Sequence, residues 1–342
     1  MAILDELKQR LAVSLAQRTG LNEIQEQIFS IQEKLDWLME KNFAFSEIDY
    51  DSIKAKILEK PLADALTVVF ITDESYFDIT LVALWTLFEH QNSPYNVKLV
   101  AYRCTEAQEQ LVKTIFPNIS VVQVKECAFP FRRDSHVSEA CMLKLVLPRL
   151  FPNEKKVLFI DCDTLIEADL HELDNALDTS APLAGVRDAA VMLSNHFRKN
   201  IFPKTHSKDY INSGVMLINL EYWRNNDCTQ KMFEMSQGKM DWAYPEQDIL
   251  NIFFAGKLQF LPYRYNIMKR ISSEALITDY QLARIHQRSI ADIQAQKPAI
   301  FHISGPNKPW NSKCAFKYPL WREESGYFMA YCKHIGIDNT GQ

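Results

Sequence analysis

Val157-Leu158-Phe159-Ile160-Asp161-Cys162-Asp163-Thr164 is the stretch whose reading decides both the fold and the chemistry of this chain. Four consecutive apolar residues followed at once by acid read as a central strand of a parallel sheet, buried on both faces. In extended chain, residues i and i+2 project to the same side. Asp161 and Asp163 are therefore expected to aim two carboxylates at one point, at the strand end where open α/β sheets bind ligands. Two hard oxygen donors suit Mg²⁺ or Mn²⁺. Without a cation the pair repels and one pKa rises. A strand ending in a solvated acidic turn would carry the same letters.

The surroundings agree with a strand. Upstream, Thr67-Val68-Val69-Phe70-Ile71-Thr72 is another apolar, β-branched run. The spacing predicts a helix over Phe77–His90, a strand over Val97–Tyr102, a helix over Thr105–Phe116 and a strand over Ile119–Val124. A helix over His136–Leu150 leads into the acidic strand. Downstream come a short strand at Ala184–Arg187, a strand at Val215–Leu220 and a helix over Glu246–Phe254. Pro245 stands where the first helical turn favours proline. The last forty residues read as mixed loop and short helix. Alternating strands and helices predict an α/β layered domain with a mostly parallel sheet.

Before Pro61 the pattern differs. Leu4, Leu7, Leu11 and Leu15 fall at helical spacing, and Gly20 is a helix stop. Leu21, Ile24, Ile28, Ile31, Leu35 and Leu38 follow in 3-4-3-4-3 steps, a heptad seam. A third helix is expected over Ser46–Lys60. Residues 1–62 thus read as a helical extension, with two readings: helices packed on the chain's own catalytic domain, or a surface for a homodimer or another partner.

The 342 residues carry a net charge of −5 and 47% hydrophobic residues, ordinary globular values that exclude a disordered or collagen-like chain and speak against a nucleic-acid partner. The seven cysteines form no CxxC pair, which points to reduced thiols and a cytoplasmic location. No signal peptide and no apolar run near the ~20 residues of a membrane span is present in the sequence.

Three further clusters carry chemistry. In Phe301-His302-Ile303-Ser304-Gly305-Pro306-Asn307-Lys308-Pro309-Trp310, His302 could complete a Mn²⁺ site. Gly305 lets backbone approach a phosphate, and Lys308 meets it as a point charge. A lone histidine is also an ordinary core residue. Tyr210-Ile211-Asn212-Ser213-Gly214 offers an amide suited to sugar hydroxyls, or simply a turn. Pro245-Glu246-Gln247-Asp248 opens a helix, where acidic residues also suit the helix dipole.

In this order and spacing the four clusters resemble glycosyltransferase family 8, the group of glycogenin and the bacterial lipopolysaccharide α-galactosyl- and α-glucosyltransferases. The likeness spans about Leu66 to Trp310. It implies a GT-A (Rossmann-like) fold over residues 63–342 with a C-terminal helical tail, a UDP-hexose donor, a divalent metal (Mn²⁺ or Mg²⁺) and retention of anomeric configuration. By the resemblance Asp161, Asp163 and His302 bind the metal. Asp73 accepts a hydrogen bond from uracil and Tyr76 stacks on the base, in a first strand and loop that also hold Ile71 and Ser75. His136, Lys144, Cys162, Ser213, Gly305 and Lys308 belong to the nucleotide-sugar site. Asp188, Asn212, Glu246, Gln247 and Asp248 face the donor sugar. Two positions depart from the family pattern: Lys144 stands where many members have arginine, and Glu246 replaces the usual aspartate.

The expected reaction moves glucose or galactose to a hydroxyl of a glycan, lipid-linked or protein-linked acceptor, by same-face substitution steadied by Gln247. The resemblance points to bacterial surface-polysaccharide, lipopolysaccharide or glycoprotein assembly. After Trp310, Lys313, Lys317, Arg322 and Lys333 are mixed with Glu323, Glu324 and Asp338, so no basic amphipathic run marks a membrane-docking tail. Peripheral contact at the inner membrane face stays open. Two alternatives are a silent nucleotide-sugar-binding module acting through its helical extension, and a phosphatase of haloacid-dehalogenase type. The second wants Thr or Val where Leu165 stands.

Overall fold

A computed structural model of the chain describes residues 48–126, 139–237, 242–268, 277–305, 308–310 and 319–337. The two apolar helices expected over Leu4–Leu38, and His136, lie outside the described residues. The chain divides into two compact units. The larger takes in Tyr50–Lys269 and Gln296–His302.

The larger unit is built on a seven-stranded sheet in the order β3-β2-β1-β4-β7-β6-β8. Its strands are β1 (Thr67–Asp73), β2 (Asn96–Tyr102), β3 (Ser120–Val124), β4 (Lys156–Ile160), β6 (Leu183–Arg187), β7 (Ile211–Asn219) and β8 (Gln259–Phe260). β1 runs parallel to β2 and β4, and β2 parallel to β3. β7 is antiparallel to both β4 and β6. The parallel half is thus as the alternating pattern predicts, and a reversed strand extends it. The expected strand Val215–Leu220 begins earlier, at Ile211, and Leu220 already opens a helical turn.

Three helices accompany the parallel half. α1 (Tyr50–Leu58) corresponds to the third helix expected near the N-terminus. It buries Ile53 and Ile57, and Lys56 Nζ donates to Glu89 O at 2.7 Å. α2 (Phe77–His90) is buried on nearly every side, from Phe77 through Phe88, as its almost unbroken apolar sequence requires. α3 (Glu106–Ile115) starts at a capping box in which Thr105 and Gln108 bond each other's backbone N–H. The core of the unit joins β1, β4 and β7 to α4 (Cys228–Ser236) and α5 (Pro245–Phe253).

The segment before β4 departs from expectation. Residues 139–146 wind as a 3₁₀ helix, and only Leu147–Leu150 close an α-turn. Side chains at i and i+3 eclipse in that winding. Cys141 and Lys144 therefore stand one above the other instead of fanning around an α-helix.

A second, three-stranded sheet has the order β5-β10-β9. β5 (Thr164–Ile166) pairs antiparallel with β10 (Ile300–His302), which runs parallel to β9 (Ile267–Met268). The register sets His302 opposite Thr164. A histidine far away in sequence is thus delivered beside the residue that follows Asp163.

The smaller unit comprises Met1–Asp49, Arg270–Ala295 and Ile303–Gln342. Its described helices are α6 (Asp279–His286), α7 (Ile290–Ala295) and α8 (Pro319–His334). α8 is 16 residues long, a correction to the expected mixture of loop and short helix. Gly336 at φ 82° lies just past its end, where only glycine enters the left-handed region without strain. The Trp310 and Trp321 rings pack against each other at a tilt within this unit, centroids 5.0 Å apart and planes 56° from parallel.

Candidate active site

The two aspartates leave the sheet at the end of β4. They are not part of the strand, so strand alternation does not align them. The chain bends over residues 162–163, while Asp161 N–H donates to Gly214 O at 2.7 Å and Thr164 Oγ1 to Asp161 O at 2.8 Å. The bend still brings the carboxylates together. Ligand atoms of Asp161, Asp163 and His302 all lie within 4.8 Å of one another, the one such cluster among the described residues. His302 Nε2 is 3.3 Å from Asp163 Oδ1 and 3.9 Å from Asp161 Oδ2. Two carboxylates and one imidazole fit a divalent ion of the Mg²⁺–Mn²⁺ kind.

Lys144 closes this end of the site. Its ammonium lies 2.9 Å from Asp161 Oδ1 and 3.4 Å from Glu246 Oε1, with the side chain 3% exposed. Ser213 O accepts from it at 3.3 Å. Burial opposes the Lys144 charge, but Asp161 and Glu246 outweigh it and hold the pKa above the ordinary lysine value. Burial pushes the Asp161 carboxyl up; Lys144 works against that rise and Asp163 adds to it. Burial would also raise Glu246, yet Lys144 and hydrogen bonds from Cys141 and Ser213 bring it below the usual glutamate value. The Cys141 contact follows from the 3₁₀ winding. The two departures from the family pattern thus meet each other. Lysine reaches less far than arginine, and glutamate, one methylene longer than aspartate, makes up the difference.

Asn212, Ser213 and Gly214 lie inside β7, not in the turn that their composition allows. Asn251, on α5, explains it. Its amide donates to Ile211 O at 2.9 Å and accepts from Ile211 N–H at 2.7 Å, continuing the strand's pairing with a side chain. Gly214 must be glycine: a Cβ there would sit 2.3 Å from His302 Cε1 and 2.6 Å from His302 Nδ1.

Asp188 follows a register shift in β6 between Gly185 and Arg187. Its Oδ1 accepts from Val191 N–H and caps a short helical turn, while its Oδ2 accepts from Asn212 Nδ2 at 3.1 Å and Gln247 Nε2 at 3.3 Å. Gln247 Oε1 in turn accepts from Asn212 Nδ2 at 3.1 Å and Ser213 N–H at 2.9 Å. Asp248 is fully buried. It accepts from Tyr210 OH at 2.5 Å and Tyr244 N–H at 3.1 Å, and meets His196 Nε2 at 3.0 Å. Burial pushes its carboxyl above the usual aspartate range, against the pull of those three partners.

At the edge of β1, Asp73 Oδ1 accepts from Ser75 N–H, Ser75 Oγ and Tyr76 N–H and caps the turn into α2. Burial, with Asp163 next in size, raises the Tyr76 phenol pKa. Ile71 is buried in β1.

Residues 67–314 match the model of glycosyl transferase family 8. The chain belongs to that family. An Escherichia coli K12 protein named lipopolysaccharide 1,2-glucosyltransferase is 24% identical over 310 residues, which is 82% of this chain and 87% of the relative. General stress protein A of Bacillus subtilis is 30% identical over 210 residues, 60% of this chain and 70% of its own length. Among solved structures, the galactosyltransferase LgtC in complex with donor and acceptor sugar analogs superposes with a TM-score of 0.63 at 24% identity, covering 76% of this chain and 95% of LgtC. GlyE of Streptococcus pneumoniae gives 0.55 at 22% identity over 81% of this chain and 66% of its own. The structural likenesses show the shared GT-A fold. Family membership makes the chain a glycosyltransferase.

In this family 8 glycosyltransferase, the structure joins Asp161, Asp163, His302, Lys144, Glu246, Ser213, Gln247, Asn212, Asp188 and Asp248 in one connected cluster within the larger unit. Gly305, at φ 99°, and Lys308, whose ammonium lies 5.5 Å from the Trp310 ring centroid, belong to the smaller unit. Sequence reading missed the roles of Tyr210, His196, Asn251 and Asn266. Tyr210 opens the Asn212 cluster and Asn251 lies on the helix that Pro245 begins, but neither carries a signal of its own; His196 and Asn266 stand outside any motif, and only the pairing of distant segments gives the four their partners. Among the described residues no helix is long and apolar enough to cross a membrane.

Proposed function

We propose that this family 8 glycosyltransferase is a metal-dependent, retaining hexosyltransferase. It moves glucose or galactose from a UDP-sugar to a hydroxyl of a glycan or glycoconjugate in bacterial surface-polysaccharide, lipopolysaccharide or glycoprotein assembly. The observation that carries this reading is the meeting of Asp161, Asp163 and His302 Nε2 at one point, with Lys144 beside them and the Asp188–Asn212–Gln247 group adjoining. Names of relatives that act on lipopolysaccharide support the acceptor class.

Asp161, Asp163 and His302 would hold the cation, which when bound supplies positive charge to the departing diphosphate. Lys144 keeps a fixed positive charge at the same end; by the family resemblance His136, Cys162 and Ser213 of the larger unit are phosphate-site residues, as are Gly305 and Lys308 of the smaller one. Tyr76 stacks on the uracil, Asp73 accepts from it, and Ile71 and Ser75 line the nucleoside. Asp188 and Asn212 bond hydroxyls of the hexose. The bond from C1 to the diphosphate oxygen breaks. The acceptor oxygen forms its bond to C1 on the same face, and its proton goes to the departing phosphate oxygen. Gln247 presents a carbonyl dipole, already fixed by Ser213 N–H, to the positive charge growing on the sugar ring. An amide is a poor nucleophile, which favours this route over double displacement through a covalent sugar–enzyme species.

The test is UDP release from UDP-glucose and UDP-galactose. Mn²⁺ is expected to support it, a chelator to stop it, and Asp163→Asn to reduce it by roughly 10³-fold. Release indifferent to chelator would defeat the reading. So would near-full turnover of Gln247→Ala at unchanged donor affinity.

A further inference from the structure

We infer that Asn266 is a positioning residue: it fixes His302 in the tautomer that a metal ligand needs and ties that choice to the amides of the sugar side. The inference rests on the reading of Asp161, Asp163 and His302 as a metal site, and it concerns a residue in no motif of the sequence.

A backbone N–H starts the chain of reasoning, because it can only donate. Gly214 N–H lies 2.9 Å from one terminal atom of Asn212, so that atom is the oxygen. The Asn212 NH₂ then faces Asp188 Oδ2 and Gln247 Oε1, both at 3.1 Å. Both are acceptors; Gln247 Oε1 is fixed as one by Ser213 N–H. The Asn212 oxygen also meets a terminal atom of Asn266 at 2.9 Å, which must therefore be its NH₂. The remaining Asn266 atom is oxygen, and it lies 3.0 Å from His302 Nδ1. Facing an oxygen, Nδ1 has to carry the proton. In the neutral ring Nε2 is then bare, and its lone pair is the one turned toward Asp163 and Asp161.

The opposite tautomer would set a nitrogen lone pair against a carbonyl oxygen in a place without water. Asn266 is 0% exposed and His302 4%. Leaving two buried acceptors face to face is the costly kind of unmade hydrogen bond. Flipping Asn266 to relieve it would break the bond to Asn212, and flipping Asn212 would set its NH₂ against Gly214 N–H. One backbone donor in β7 thereby decides, through two amides, which imidazole nitrogen can take a cation. Histidine ligands commonly have their second nitrogen fixed by a neighbouring acceptor, and losing that acceptor weakens metal binding by about 10–100-fold. Here the acceptor is itself held by the residues that face the donor sugar.

The experiment uses full-length protein with ¹⁵N-histidine labelling and no metal. Long-range ¹H–¹⁵N correlation, taken at alkaline pH where the His302 ring carries a single proton, is expected to show that proton on Nδ1 and Nε2 bare. Asn266→Ala is expected to lose that single tautomer and to weaken Mn²⁺ binding, read by electron paramagnetic resonance, by about 10–100-fold. Asn266→Asp keeps an acceptor for Nδ1–H but sets its second oxygen against Asn212 Oδ1, so it is expected to lose stability while keeping the tautomer and binding Mn²⁺ more tightly than Asn266→Ala. A wild-type His302 protonated at Nε2 would overturn the inference. So would an Asn266→Ala protein with the tautomer intact and Mn²⁺ affinity within about twofold of wild type. Should wild-type protein bind no Mn²⁺, the metal reading fails by itself. The tautomer of the metal-free protein still decides the role of Asn266, even if Asn266→Ala does not fold.

Discussion

The two ends of the site are built by opposite means. At the acidic end, Asp161 and Asp163 have side chains 26% and 13% exposed, and their charges converge beside Lys144. At the sugar end, Asp188, Asn212, Gln247 and Asp248 are buried, and their polar atoms bond mostly to one another. The first end gains from an added positive charge, and the second is arranged before any ligand arrives. Preorganised dipoles cost no rearrangement when charge develops on a substrate. Charges left to converge instead make the site depend on what binds. Lys144 and Ser213 touch both ends, and His302 is tied to the far one through Asn266.

Lys144 should therefore give the largest effect. Lys144→Met leaves Asp161 and Glu246 facing each other with no cation between them. Removing one member of a buried pair costs about 3 kcal/mol or more, and turnover should fall by roughly 10²-fold as well. The double variant Lys144→Met with Glu246→Gln removes the orphaned charge along with the cation. Urea melts should show most of the stability restored while UDP release stays low. If the double variant recovers both together, the two ends are one structural unit and the contrast drawn above is wrong.

Much of this arrangement was readable from residue order. Apolar runs gave β1 and β4 nearly to the residue, because a strand buried on both faces must be continuously apolar; β2 and the partly exposed β3 were as legible although Lys98 and Gln123 interrupt them. Asp161 and Asp163 were readable for the same reason: acid directly after such a run is unexpected unless the strand end is used. The 3₁₀ winding at residues 139–146 was not readable, since its apolar spacing fits an α-helix equally well. Asn212–Gly214 looked like a turn because Asn, Ser and Gly favour turns in isolation; the bracket from Asn251 overrides that preference from 40 residues away. Asn266 had no local signal at all. Its partners, Asn212 and His302, are 54 and 36 residues distant, and its role exists only once β9 and β10 lie side by side.

Gly214 sharpens the contrast at an intermediate scale, since it contacts both ends through one missing methyl group. A Cβ at this position would overlap the His302 ring and crowd Asn212 Oδ1 at 2.9 Å. Overpacking of this kind costs about 1–3 kcal/mol. Gly214→Ala should move the imidazole away from Asp163 and weaken Mn²⁺ binding by about 10-fold or more. Isothermal titration with Mn²⁺ and a urea melt on the same sample separate the two consequences. Unchanged Mn²⁺ affinity in a destabilised protein would mean that His302 relaxes without leaving the carboxylates, and that the acidic end is less dependent on β7 than its geometry indicates.

The smallest effect belongs to Asp248, and its sign follows from proton linkage. Burial raises its folded-state pKa, even though Tyr210, Tyr244 and His196 favour the ionised form. A carboxyl with a raised folded pKa binds its proton more tightly in the native state than in the unfolded chain. Native stability then rises as pH falls through that raised pKa, and it falls as pH climbs past it. In Asp248→Asn the side chain no longer titrates, so this contribution disappears. The stability of wild type relative to Asp248→Asn should therefore be greater at pH 5 than at pH 7, by urea melts in matched buffers. A difference independent of pH would show that the hydrogen bonds to Asp248 offset its burial completely. The sugar end would then hold its acid as comfortably as it holds its amides.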